Sequence, residues 1–196
     1  RFREFVESVL EGINLPPEDR IERMEGLFSY LLEQVHDHLD HPRDDITSYL
    51  IGAEIFGQKL TAEHVTGAMA LLLIAGIDTT WSAIGSSLWH LARNPADLTR
   101  LVAEPGLLPT AMEEFLRAYA PVTMARLVKQ DMHWHCVDMK ADDWILLSFP
   151  AANRDPAQFD RAGEVVIDRE MNRHAAFGLG IHRCLGQHLA YQEAEV

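Results

Sequence analysis

The stretch from Thr61 to Arg93 constrains this chain more than any other. Thr61 is a good N-cap, and Glu63 stands in the first turn, where a carboxylate complements the helix dipole. Asn94-Pro95 ends the run, because the residue before a proline avoids helical angles and the proline itself begins another helix. Around Met69 to Ile74 the segment is apolar on all sides, the pattern of a helix buried all round. The spacing therefore predicts one long helix at the centre of a mainly α fold. In its apolar surround lies Ala75-Gly76-Ile77-Asp78-Thr79-Thr80. A carboxylate beside two hydroxyls is costly in a buried helix unless something uses it. Gly76 weakens the helix there, and the group predicts a kink or bulge with room for water or a small ligand. A cap or a polar contact between helices is the plainer reading.

The segments before it are helical too. Phe2, Phe5, Val6, Val9 and Leu10 recur at helical spacing until Gly12 to Pro17 breaks the pattern. Glu18 to Leu39 reads as a long amphipathic helix through Ile21, Met24, Leu27, Phe28, Leu31, Leu32 and Val35. His36, His38 and His41 stand at its end among Asp37 and Asp40. They read as a solvated helix terminus, with a metal site as the other option. Asp44 or Asp45 can cap a helix from Ile46 to about Phe56, and Gly57-Gln58-Lys59 turns.

After Pro95 a short helix runs to about Ala103, Glu104-Pro105-Gly106 turns, and a further helix runs from Pro109 through Tyr119 to its stop at Pro121. Glu114 and Arg117 stand three apart on it, hence on one face, with Phe115, Leu116 and Tyr119 around them. Most such pairs are solvated and contribute under about 1 kcal/mol; these neighbours make burial plausible. Arg126 to Gln130, Trp134 to Met139 and Trp144 to Phe149 read as short strands of one small sheet, with a turn at Asp142-Asp143.

Phe177 to Gly186 reads Phe-Gly-Leu-Gly-Ile-His-Arg-Cys-Leu-Gly. Glycines at 178, 180 and 186 reach angles other residues avoid, and let a flat ligand approach the main chain. A helix from Leu185 to Val196 would offer its first amide groups to a Cys184 thiolate. A small buried hydrophobe in a glycine-rich loop is the plainer reading of a lone cysteine.

The pattern Phe-x-x-Gly-x-His-x-Cys-x-Gly resembles the haem-ligand signature of the cytochrome P-450 family. Ala-Gly-x-Asp-Thr-Thr resembles its oxygen-activation motif, and Glu-x-x-Arg its ion pair behind the haem; the three stand in the family's order. Ala-Asn-Arg-Asp-Pro-x-x-Phe after Pro150 resembles the meander before the cysteine loop. The resemblance implies the C-terminal portion of that fold: a long central helix, the Glu-x-x-Arg helix, the cysteine loop and a truncated proximal helix. It implies haem b on Cys184 as axial iron ligand, with Phe177 shielding the sulfur and Gly178, Gly186 and Ala75 beside the macrocycle. His182 and Arg126 match propionate partners, though Arg126 also reads as a surface strand residue. Asp78 would help deliver protons and Thr79 steady dioxygen. Leu71, Ala75 and Val122 would touch substrate, and Arg169 can join the network of Glu114 and Arg117. Cys136 and Asp142 stand where soluble members often have glycine, which predicts strain at the sheet turn. Tyr191 stands where a basic residue is common.

A chain of 196 residues, 47% hydrophobic, is long enough for one globular core. Its net charge of −13 argues against general nucleic-acid binding. Two cysteines give neither a disulfide framework nor an iron–sulfur site, and fit a reducing, cytoplasmic setting. The longest apolar run, Ala68 to Ile77, is too short to span a bilayer, and no membrane association is expected. Arg169, Arg173, His174, Arg183 and His188 gather near the cysteine as a docking face for an acidic electron carrier, or as ordinary charge scatter.

The expected activity is that of a bacterial-type soluble monooxygenase. It inserts one oxygen atom of O2 into a small hydrophobic substrate, with NAD(P)H electrons arriving through a ferredoxin or flavodoxin-type donor. Residues 1–196 would form part of that catalytic domain, lacking the N-terminal half and the C-terminal end. The alternatives are a truncated, non-catalytic chain with weak or no haem binding, and a peroxide-using relative. The intact Asp78-Thr79 pair argues against the last.

Overall fold

The computed structural model describes residues 15–194. The helical pattern expected over Phe2 to Leu10 lies outside them. The chain divides into two compact units, one reaching to Asp78 and one starting at Thr79.

In the first unit, α1 (Pro17–Asp40) starts with a proline, where a missing N–H costs nothing, and carries Glu18 and Asp19 in its first turn. Its buried stripe falls at three- and four-residue steps. Leu27 and Leu31 pack on Ala70, with Met24, Met69, Leu73, Ile74 and Ile77 around them. Asp45 caps α2 (Ile46–Gly52) by accepting the Ser48 N–H at 2.9 Å. This helix ends at Gly52, four residues before the expected Phe56. Phe56 and Gly57 take φ angles of 52° and 75° as the turn of a hairpin, β1 (Glu54–Ile55) and β2 (Gln58–Lys59). The histidine cluster also divides. His36 and His41 are exposed, but His38 is buried, with Nδ1 2.7 Å from the Gln34 carbonyl and Nε2 2.9 Å from Asp45 Oδ2. It locks the end of α1 to the cap of α2 rather than facing water.

Helix α3 (Ala62–Arg93) has the expected limits and is capped by Thr61, whose hydroxyl accepts the His64 N–H at 3.2 Å. It is helical at all 32 residues, so no bulge interrupts it at Gly76 to Thr80. It is not buried all round. Val65, Thr66, Ala70 and His90 are buried, whereas Leu71, Leu72, Trp81, Leu88 and Trp89 are exposed. An all-round apolar helix needs neighbours on every side, and in its own unit α1 covers one stripe. Among the described residues α3 is also the one helix long and apolar enough, by length and composition alone, to cross a membrane.

The second unit holds the rest of α3, then α4 (Pro95–Ala103), a 3₁₀ turn at Pro105–Leu107 and α5 (Leu108–Ala118). Leu101 of α4 packs with Ala111, Met112 and Phe115 of α5 and with Ile167. The strands form separate antiparallel pairs instead of one sheet. β3 (Thr123–Leu127) pairs with β6 (Trp144–Ser148), and β4 (Met132–Trp134) with β5 (Val137–Met139). The expected single strand over Trp134 to Met139 is thus a hairpin, turned where His135 takes φ 53°. The strained residues are His135 and Asp142, φ 68°; Cys136 itself is not in the left-handed region. Helix α6 (Phe149–Ala152) and the cysteine loop follow, and α7 (Gln187–Ala194) starts two residues later than expected.

Candidate functional site

Glu114 and Arg117 are both fully buried on α5. Arg117 Nε donates to Glu114 Oε2 and Nη2 to Oε1, each at 2.8 Å, a two-pronged pair of the kind a planar guanidinium makes. The remaining donors of Arg117 reach main-chain carbonyls of Asn153 at 2.7 Å, Ala162 at 2.9 Å and Glu164 at 2.6 Å. Glu114 in turn accepts from Arg169 Nε at 2.9 Å, Asn172 Nδ2 at 3.0 Å and the Val166 N–H at 2.7 Å. Burial pushes the Glu114 carboxyl up, but the bonds from Arg117, Arg169 and Val166 outweigh it and hold it below the usual carboxylate range. This one pair organises the meander from Asn153 to Asn172. Sequence reasoning found Arg169, named Asn153 only within the Ala-Asn-Arg-Asp-Pro motif without this role, and missed Asn172, which stands in no periodic pattern.

Asn153 carries the order onward, because its side-chain oxygen accepts the Ala175 N–H at 2.7 Å. Two residues later the cysteine loop starts. Gly178 and Gly180 take φ angles of 71° and 68°, which L side chains rarely adopt. Gly186 is not in that region, so its expected special backbone is not required. The turn brings the Cys184 N–H to the Phe177 carbonyl at 2.8 Å. Cys184 is a free thiol and is exposed, not buried as the plainer reading had it. It is flanked by Leu179, Ile181 and Leu185, which are 71%, 97% and 87% exposed. Three exposed aliphatic side chains thus share one loop with an exposed thiol.

His182 and Arg126 are exposed, and neither pairs with a carboxylate among the described residues. Arg126 lies on β3, where its Nη1 donates to the Ala125 carbonyl at 2.8 Å. Val122, just before β3, is half-buried. Leu71 and Ala75 are exposed on α3; Asp78 and Thr79 are half-buried there, at the point where the two units divide. Of the basic set near the cysteine, Arg169 is buried on Glu114 and His174 on Glu113. Arg173, Arg183 and His188 remain exposed. Among the described residues no cluster of three or more His, Cys, Asp or Glu side chains could hold a metal ion by itself.

The family model for cytochrome P450 matches residues 18–196. A probable cytochrome P450 127A1 of Sinorhizobium fredii is 40% identical over 152 residues, which is 78% of this chain and 37% of that protein. The polyketide biosynthesis cytochrome P450 PksS of Bacillus subtilis is 36% identical over 169 residues, 85% of this chain and 42% of its own. The solved structure of PksS superposes on 99% of this chain with a TM-score of 0.92 and 32% identity, covering 50% of that chain. Substrate-free CYP109E1 of Bacillus megaterium gives a TM-score of 0.89 at 34% identity, covering 98% of this chain and 52% of its own. The chain spans about half the length, or less, of these relatives. With a family model matched across most of its length and its buried Glu-x-x-Arg pair and cysteine loop in the family's order, the chain belongs to the cytochrome P450 family.

Proposed function

We propose that this chain forms the haem-ligating part of a monooxygenase that inserts one oxygen atom of O2 into a small hydrophobic substrate. The observation that supports it is the cysteine loop, in which the Cys184 N–H bonds to the Phe177 carbonyl, the thiol is exposed, and Leu179, Ile181 and Leu185 of the same loop are exposed too. Haem b, when bound through a thiolate, supplies the oxygen activation, because the sulfur pushes electron density towards O–O cleavage. Cys184 would hold the haem iron through its sulfur in this reading, and Phe177 would keep water from that sulfur. Gly178, Gly186 and Ala75 let the macrocycle lie close, and Arg126 and His182 hold its propionates. Asp78 passes protons and Thr79 orients dioxygen; Leu71, Ala75 and Val122 touch substrate.

NAD(P)H serves through a ferredoxin or flavodoxin-type donor, for which the exposed Arg173 and Arg183 guanidinium groups, with exposed His188, are the candidate contacts. The exposed apolar side of α3 is read as surface for the remainder of the family fold and not as a lipid-facing span. The coverage of about half of each relative supports that reading. A cytoplasmic location goes with it.

The test is the carbon-monoxide difference spectrum of the reduced, haem-supplemented protein. A strongly red-shifted Soret band that Cys184→Ala abolishes is the expected result. If a form with the full length of its relatives also takes up no haem, the reading is wrong. Haem uptake separates it from a chain that binds haem weakly or not at all. Dependence on NAD(P)H and a donor, rather than on peroxide, separates it from a peroxide-using relative.

A further inference from the structure

Glu113 stands one residue before the buried Glu114 and so points to a different face of α5. Its Oε2 lies 2.8 Å from His174 Nε2, and the Tyr191 hydroxyl, whose pKa is raised first by burial and then by Glu113, is electrostatically coupled to the same carboxylate. His174 Nδ1 accepts the Ala176 N–H at 3.2 Å, so Nε2 is the nitrogen that carries a proton to Glu113. Between the two rings sits Phe177. Its ring meets Tyr191 edge-on at 5.2 Å and His174 at a tilt at 6.2 Å. Its carbonyl is the acceptor for the Cys184 N–H. His174 lies ahead of the cysteine loop and Tyr191 lies on α7 beyond it. His174, bonded to this carboxylate, and Tyr191, coupled to it, therefore bracket the residue that holds the cysteine backbone.

We propose that Glu113 is a positioning residue for the sulfur: through His174 and Tyr191 it clamps Phe177 and so sets the place of Cys184. This rests on the reading of Cys184 as the haem ligand. An amide in place of the carboxylate loses the charge that strengthens both bonds, and its NH₂ group faces donors.

The experiment compares Glu113→Gln, Tyr191→Phe and their double variant with the wild-type protein. Glu104→Gln, at an exposed carboxylate on Arg100, serves as control. Two readouts are needed, hydrogen exchange of the Cys184 amide without haem and the Soret band of the reduced carbon-monoxide form. Losing a charged hydrogen bond predicts roughly tenfold faster exchange in each single variant. The double variant should be little worse than either, since the partners act as one unit. Part of the Soret intensity should move to shorter wavelength, as thiolate ligation is lost. Unchanged exchange overturns the proposal. Faster exchange with an unmoved band overturns it too, because Glu113 then orders the loop without setting the sulfur. If Glu113→Gln does not fold, Tyr191→Phe, which deletes one hydroxyl, carries the same test. A wild-type protein of its relatives' full length without the red-shifted band sinks the haem reading instead, and exchange still decides whether Glu113 pins the loop.

Discussion

Arg117 Nη1 donates to the Asn153 carbonyl across 2.7 Å, and both residues are shut off from solvent. Because the Asn153 side chain also accepts the Ala175 N–H, the buried ion pair on α5 is two hydrogen bonds from the backbone that leads into the cysteine loop. Asn153→Ala removes the second of these and leaves the part-buried Ala175 N–H without this partner. We expect it to cost about 1–3 kcal/mol in denaturant unfolding. A cost within experimental error would show that Asn153 does not transmit this order.

Removing one member of the Glu114–Arg117 pair should do more. Either Glu114→Gln or Arg117→Leu strands a buried charge and the main-chain carbonyls or N–H bound to it. The expected loss is about 3–5 kcal/mol, enough to leave much of the protein unfolded. The exposed Arg100–Glu104 pair is the comparison, where Glu104→Gln should cost under about 1 kcal/mol. Similar losses at the two pairs would contradict the buried network.

The loop glycines divide by backbone angle. Gly178→Ala and Gly180→Ala put a Cβ on left-handed backbone and should each cost about 1–2 kcal/mol. At Gly186 an added Cβ meets nothing within 4 Å and the backbone is ordinary, so Gly186→Ala should leave the stability of the haem-free protein close to wild type. Equal thermal shifts for all three would argue against the loop geometry described.

Stability should fall on both sides of neutrality. Glu113 is held below its ordinary value of 4.5 chiefly by the hydrogen bond from His174, and Glu114 is held below it against burial. Carboxyls depressed in the folded state bind fewer protons than in the unfolded chain. Their contribution is therefore complete above pH 4.5 and is lost as pH falls through the depressed values. Tyr191 is raised above its ordinary 10.0, by burial first and by its bond to Glu113 second. Its contribution is complete below pH 10.0 and is lost as pH rises beyond. Melting temperature against pH checks both signs, and Glu113→Gln should flatten each slope. A melting temperature that climbs below pH 4.5 would contradict the acid arm.

Much of this was local, and local physics is legible in a sequence. The ends of α3, the proline starts of α1 and α4, the Asp45 cap and the turn at Asp142 follow from capping and backbone angles. The burial of Glu114 and Arg117 could be expected from their apolar neighbours, and the cysteine loop from its glycines. The order of the three motifs pointed to the family that the comparisons then showed. Other features depended on partners distant in the chain. The hairpin at His135 arises because β3 pairs with β6, and the stretch between them must pair with itself. His38 looks like a solvated terminus until α2 brings Asp45 against it. His174 looks like surface charge until α5 presents Glu113 to it.

The apolar pattern of α3 shows the other side of that division. By itself the sequence determined a long helix that prefers apolar surroundings on every side, because periodicity records what each face would favour. Whether a face is covered depends on what packs against it. In the first unit α1 covers one stripe, while Leu71 and Leu72 stay exposed. Only the tertiary structure could decide that, since burial is a property of two surfaces and a sequence pattern describes one.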